Sequence, residues 1–372
     1  MTDVVMRTYG LQPGTPELKS VGPIAFGPES ILFVADNVSA TIFAVDVAPS
    51  GDTRANPAEP APIDNIDARL AAYLGCSRED VHIRDMAVRP DSQQVFLSVM
   101  RGSGSSAVPL ILTVSPRGAI AEVPLQDVSF SRITLADAPA VDDERRDARL
   151  AEDGEEADDL DIHGVHLRVA REPLRSVSVT DMAYVDGTLL VAGACNEEFS
   201  SALRRIPFPF VAEQSSNSLE IYHVSHGRFE TASPLRTLVP YAANSSILAS
   251  YTCTPIVHFS LEDLQPGTLA KGRTVADLGA MNTPIDMVSY SANGEEYLLV
   301  SNIRHPLMKI ACRDIDQQAA LTERGDRTGV PRLDMPQQGV SHMANLNGSA
   351  VLMLQRDADG SLNLRPYATA SL

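Results

Sequence analysis

The sequence predicts an all-β chain built from repeated hairpins, and three observations carry that prediction. The segments "RDMAVRPDSQQVFLSV" from Arg84, "TDMAYVDGTLLVAG" from Thr180 and "IDMVSYSANGEEYLLVSN" from Ile285 share one outline, an Asp-Met pair heading a strand, a turn and a second strand. The second strand recurs as "LFVAD" at Leu32, "FLSV" at Phe96, "LLVAG" at Leu189, "ILASY" at Ile247, "LLVSN" at Leu298 and "VLMLQ" at Val351. A third β-rich run follows: "TIFAVDV", "PLILTV", "ALRRIPF", "PIVHFS", "LMKIAC" and "NLRPY". Short repeated strands divided by turns suit radial repetition, in which each sheet buries its faces against its neighbours. The expected architecture is therefore a β-propeller, one domain over residues 1–372, with insertions at about 50–80 and 138–162. Six copies give six blades; a seventh would have to lie in the long gap between Asp85 and Asp181.

Taken in chain order, "DVVMRTYGL" (Asp3 to Leu11) reads as a strand able to complete the last blade and seal the exposed edge of an open ring. In "DNIDARLAAYLGC", Ile66, Leu70, Tyr73 and Leu74 share a helical face, Asp64 or Asn65 is placed to cap its start, and Gly75 suits its stop. This helix follows the Pro-rich "ANPAEPAPI" and is expected to pack on the ring through its apolar stripe. From Asp142 to Asp161 eleven acidic residues face three arginines, the signature of a solvated, mobile loop.

The net charge of -18 disfavours nucleic acid and anionic membranes as partners. No stretch is apolar for long enough to span a bilayer, and "MTDVVMRTYGLQPG" lacks the basic start and apolar core of a signal peptide. The chain reads as soluble, either cytoplasmic or a trimmed secreted form. Cys76, Cys195, Cys253 and Cys312 show no zinc-finger spacing. A GxSxG elbow, an HExxH helix and a phosphate loop are all lacking.

Stepping back from the second strands places Pro23, Asp85, Asp181, Val239, Asp286 and His342 in one column, followed by Ile24, Met86, Met182, Pro240, Met287 and Met343. The Met column is explained by packing. In propellers the heads of the innermost strands and the loops between second and third strands open on one face, so Asp85, Asp181, Asp286 and His342 would ring the channel mouth and could hold a divalent ion, calcium or a transition metal. A second ring, read from the loops, contains Arg101, Cys195, Cys253 and Arg304, with Asn196, Glu197, Asn302 and His305 nearby. Its arginines suit an anionic small-molecule ligand. Two function classes follow. In a metal-assisted lactone or ester hydrolase, the Asp ring holds the metal and His342 or His305 moves a proton. In a non-catalytic binding or scaffold propeller with a protein partner, the Asp column accepts backbone N–H groups and ties blade to blade. "DIHGVH" (His163, His166) and "YHVSHG" (His223, His226) read as surface histidines, because neither has an evident carboxylate or Cys partner at a metal-binding spacing.

The hairpins "DMAVRPDSQQVFLSV" and "IAFGPESILFVAD" resemble those of the six-bladed gluconolactonase, senescence-marker and strictosidine-synthase-like propellers, and of NHL-type repeats. That resemblance implies a channel metal held by Glu, Asn and Asp from different blades, with Asp85, Asp181 and Asp286 at comparable strand heads. Pro23 stands where such a family would offer a Glu, Val239 is apolar, and His342 is additional.

Overall fold

A computed structural model describes residues 8–47, 61–151, 155–162, 164–198, 200–211, 214–230 and 233–372. Among the described residues six sheets, antiparallel apart from the short parallel pairing of Leu269–Lys271 with Ser215–His223, stand around a central axis. Their innermost strands, Ile24–Phe26, Val81–Val88, Asp181–Val185, Thr237–Tyr241, Pro284–Ala292 and Val340–Asn347, touch one another in a closed cycle. The chain is a β-propeller, and its blades are numbered here 1 to 6 in the order of those strands. The six third strands lie where the sequence places them, from Thr41–Asp46 in blade 1 to Leu362–Ala368 in blade 6. Alternation along each hairpin turns Val, Ile, Leu and Met to both sheet faces, where neighbouring blades cover them.

The order of blades in space differs from their order in sequence. Blade 1 touches blades 2 and 3, and blade 2 touches blade 6, so the cycle runs 2-1-3-4-5-6. The chain lays down three strands of blade 1, crosses to build blade 2, then returns to add Val128–Thr134 beside Thr41–Asp46 as the fourth strand of blade 1. Gln12–Gly14 pairs with that returning strand at the outer edge. The segment Asp3 to Leu11, expected to close the last blade, is described only from Thr8 onward. Residues 3–7 lie outside the described residues, Thr8 and Tyr9 are helical, and Leu11 is buried among side chains of blades 1 and 3.

Among the described residues blade 6 has three strands, and its outer edge is met by the helical insertion. Ile63 forms an antiparallel bridge with Leu364, and the Asn65 N–H donates to Asn363 Oδ1 (2.8 Å). The helix Ile66–Leu74 starts at Asn65 in the left-handed region (φ 55°) without a side-chain cap and stops at Gly75, also left-handed (φ 65°), where glycine carries no steric penalty. Ile63, Ile66 and Leu70 are buried with Met86, Leu97 and Leu112 of blade 2 and Leu352 and Leu364 of blade 6. The helix therefore fills the junction between blades 2 and 6.

The acidic run is the second correction. Arg146–Leu150, Asp158–Ile162 and Val165–Pro173 form a three-stranded antiparallel sheet outside the cycle of innermost strands. Ion pairs offset part of its charge: Arg149 meets Glu172 across the sheet and Glu155 of the connecting segment, and Arg171 meets Asp158. Asp147, counted in the acidic run, is buried in an ion pair with the equally buried Arg236. Residues 152–154 fall outside the described residues.

Leu70→Ala should lower stability by about 2–5 kcal/mol, the cost of emptying a fully buried leucine site. Chemical denaturation checks this; an unchanged midpoint would make the helix a peripheral attachment.

Candidate functional site

The channel mouth is built by the heads of the innermost strands, and its central feature is a repeated carboxylate tie. The Ile24 N–H of blade 1 donates to Asp85 Oδ2 of blade 2 (2.7 Å), the Leu238 N–H of blade 4 to Asp181 Oδ2 of blade 3 (2.8 Å), and the Met343 N–H of blade 6 to Asp286 Oδ2 of blade 5 (2.5 Å). In all three the other oxygen accepts the N–H of the following methionine, Met86, Met182 or Met287, at 2.7 Å. The Asp-Met pair is thus one device: the methionine enters the core while its N–H and the neighbouring blade's N–H are both satisfied by the aspartate. Around the ring the aspartates alternate with Pro23, Thr237 and His342.

This alternation corrects the column at blade 4. Register pairs Leu238 with Ala249, as Met182 pairs with Val191 and Met287 with Val300. The equivalent pair is Thr237-Leu238, two residues before Val239-Pro240, because the hairpin turns through Ala242 to Ser245 where blade 3 uses only Asp186 and Gly187. Thr237 also serves the tie, its hydroxyl donating to Asp181 Oδ2 (2.7 Å).

Electrostatics in the ring raise the pKa of all three acids. Burial raises the Asp85 pKa to about 8 with help from the charge of Asp181, and burial raises Asp181 to about 6 against the bonds from Leu238 and Thr237. Asp286 is pushed well above the carboxylate range by burial and then by Asp181 and Asp85. His342, only 16% exposed, stands with Nδ1 3.8 Å from Asp85 Oδ1, and burial lowers its pKa to about 4.

The loop residues do not converge on one ligand site. The Arg101 guanidinium reaches only toward the Leu74 carbonyl at 3.5 Å, beside the helix, and Arg304 donates to the Met281 carbonyl (3.2 Å). Asn302 is tied to Asn282 (2.9 Å), which also accepts the Arg304 N–H (2.9 Å). Arg145 of the insertion donates to the carbonyls of Glu197 (2.6 Å) and Asn196 (3.3 Å). Cys195 is buried, and burial raises its thiol pKa. His305 is separate from His342: its Nε2 sits where a side chain on Gly279 would meet it at 2.6 Å, and burial, then Arg327 and Arg304, lower its pKa.

The inserted sheet docks on this strand-head face. The Leu150 N–H donates to Thr283 Oγ1 (3.1 Å) just ahead of the inner strand of blade 5, and the Asp147–Arg236 pair lies just ahead of that of blade 4. Blade 3 permits the close approach at Gly193, where a Cβ would sit 2.1 Å from the Ser178 carbonyl oxygen. Sequence reasoning missed one cluster. His223 and His226 share Glu230, and Cys253 of blade 4 lies against them; the spacing in "HVSHGRFE" was the available signal.

The sign of the pH dependence follows from these shifts. Carboxyls held above their unfolded pKa keep protons that the unfolded chain loses, so their contribution to stability falls as pH rises from about 4 to about 8. His342, depressed to about 4, acts oppositely but only below its unfolded value of 6.5. Between pH 6.5 and 8 the wild-type chain should therefore lose stability relative to Asp85→Asn, read as the difference between their melting temperatures. A difference independent of pH in this window would show Asp85 to be ionised throughout.

No family model matches the sequence, and no curated protein matches it. Among solved structures, the fold is similar to a chain in the crystal structure of the mitotic checkpoint complex at 10% identity and a TM-score of 0.39, covering 96% of this chain and 90% of that one. It is also similar to the β-propeller domain of Cps50 (Swd1) from Myceliophteria thermophila at 12% identity and a TM-score of 0.38, covering 95% and 99%.

Proposed function

We propose that the chain is a non-catalytic binding propeller whose Asp column is structural and whose partner, a protein bearing basic groups, is met on the strand-head face. The supporting observation is the use of the aspartates: every oxygen of Asp85, Asp181 and Asp286 accepts a backbone N–H, three of them across a blade boundary. A hydrolytic metal centre needs anionic oxygens turned toward the ion. Here both oxygens of each carboxylate are already engaged by backbone donors. The partner's chemistry is argued from charge complementarity. The strand Asp158–Ile162 presents Asp158, Asp159 and Asp161 with side chains 62%, 68% and 79% exposed, on a chain of net charge -18.

Calcium, magnesium or manganese should then give no thermal shift that depends on Asp181, and lactones and simple esters should not be turned over. Asp181→Ala should lower stability by about 1–3 kcal/mol for each donor left without an acceptor. A divalent-ion shift that disappears in Asp181→Asn, together with metal-dependent hydrolysis, would establish the hydrolase instead. A Lys/Arg-rich peptide should bind the wild-type chain at low salt and bind several-fold more weakly after Asp158, Asp159 and Asp161 are changed to Asn; equal binding would remove this strand from the interface.

A further inference from the structure

At the seam between blades 3 and 4, chain segments far apart in sequence bring two imidazoles and a thiol together. His223 ends the outermost long strand of blade 3, Ser215–His223, and His226 lies in the turn that follows. Cys253 comes from the loop between the second and third strands of blade 4, held in the left-handed region (φ 60°) by its N–H bond to the Asn282 carbonyl (2.8 Å). One ligand atom from each of the three residues lies within 4.8 Å of the others, the only such group of three among the described residues.

The surroundings of the imidazoles orient them for coordination. Glu230, on the short strand paired back against His223, takes both rings at once. One carboxylate oxygen meets His223 Nδ1, and the other meets His226 Nδ1 at 2.7 Å and Arg228 Nε at 2.8 Å. A carboxylate at Nδ1 selects the tautomer that carries its proton there and leaves a lone pair at Nε2, the arrangement that orients histidines toward a metal. His223 is 3% exposed, and its Nε2 is buried with no hydrogen-bond partner of normal geometry among the described residues. The Cys253 thiol nevertheless lies close enough to act on that ring. An imidazole nitrogen left unpaired in the interior costs stability unless something occupies its lone pair. The His226 side is 44% exposed, giving an ion a way in.

We propose that His223, His226 and Cys253 bind a divalent transition metal of the zinc class, with Glu230 as the carboxylate that positions both histidines. Sulfur and imidazole donors select such an ion over calcium or magnesium, and three protein ligands leave a fourth tetrahedral position for water or a ligand entering beside His226. Binding exchanges the thiol proton for the metal–sulfur bond and releases that proton to solvent. Because His223 belongs to blade 3 and Cys253 to blade 4, the ion would staple two blades already joined by the Asp181 tie. The site is independent of the Asp ring, so it stands or falls apart from the function proposed above.

The test uses the full chain stripped with a chelator and titrated with Zn²⁺ or Co²⁺. One zinc per chain should bind and raise the melting temperature, and cobalt should give a thiolate charge-transfer band. Cys253→Ser should abolish that band, and Glu230→Gln should weaken zinc by about 10–100-fold while retaining it. His226→Ala, altering an exposed ring, keeps the test open if Cys253→Ser fails to fold; it should weaken zinc by more than Glu230→Gln does. His166→Ala and Asp181→Asn should leave zinc affinity unchanged. A folded wild-type chain without the band, a band surviving in Cys253→Ser, or affinity lost with His166 instead would overturn the assignment.

Discussion

The constraint on which the ring depends is that a strand head facing the channel has no neighbour within its own sheet to accept its N–H, and three aspartates solve it for six blades. Each carboxylate caps its own blade and reaches one blade onward in the same rotational sense, joining blades 2 and 1, 3 and 4, and 5 and 6. The remaining seams use different chemistry. Blades 1 and 3 are joined by the Asn37 side chain, which both donates to and accepts from the backbone of Val179 (2.9 and 2.8 Å). Blades 4 and 5 share the loop bond from Cys253 to Asn282, and blades 6 and 2 share the helix. The ring is thus three carboxylate-clamped pairs joined at three seams of differing chemistry.

That division accommodates the unusual blade order. A carboxylate tie needs only a strand head on either side, regardless of which was made first, so Asp85 clamps blade 2 to the earlier blade 1 as readily as Asp181 clamps blade 3 to the later blade 4. The seams requiring special material are those the crossing creates. Where blade 2 meets blade 6 the residues are joined by no short connection, and Ile63 together with Ile66 and Leu70 of the helix fills the gap. Where blade 1 would have been left with a bare edge, Val128–Thr134 returns to pair with it after blade 2 is complete.

These differences mark how far the sequence could be read. Strand, turn and third strand were legible in every blade because period-two burial and turn residues are local signals. The Asp-Met column was legible for the same reason, and its structural role was one of two readings the residues allowed. Blade 4 slipped by two residues because the step from strand to strand depends on turn length. The blade order was not legible, since no repeat distinguishes the fourth strand of blade 1 from a continuation of blade 2. Asp147 looked like one more solvated charge until tertiary structure supplied Arg236. The His223 cluster needed both a turn that folds Glu230 back and a loop from another blade, and only the first is written in adjacent residues.

The contrast between the two clusters also explains why carboxylates in a channel need not mean a metal. In the ring, three acids are buried close enough to raise one another's pKa, and each has its oxygens aimed at backbone donors. At the blade 3–4 seam a single carboxylate holds two imidazoles and Arg228, and the donors left over are nitrogen and sulfur. A site's affinity for a cation is set by which lone pairs remain after the fold has used what it needs. In the ring every carboxylate oxygen already serves a backbone donor, whereas at the seam His223 Nε2 is buried without a hydrogen-bond partner of normal geometry, beside the Cys253 thiol.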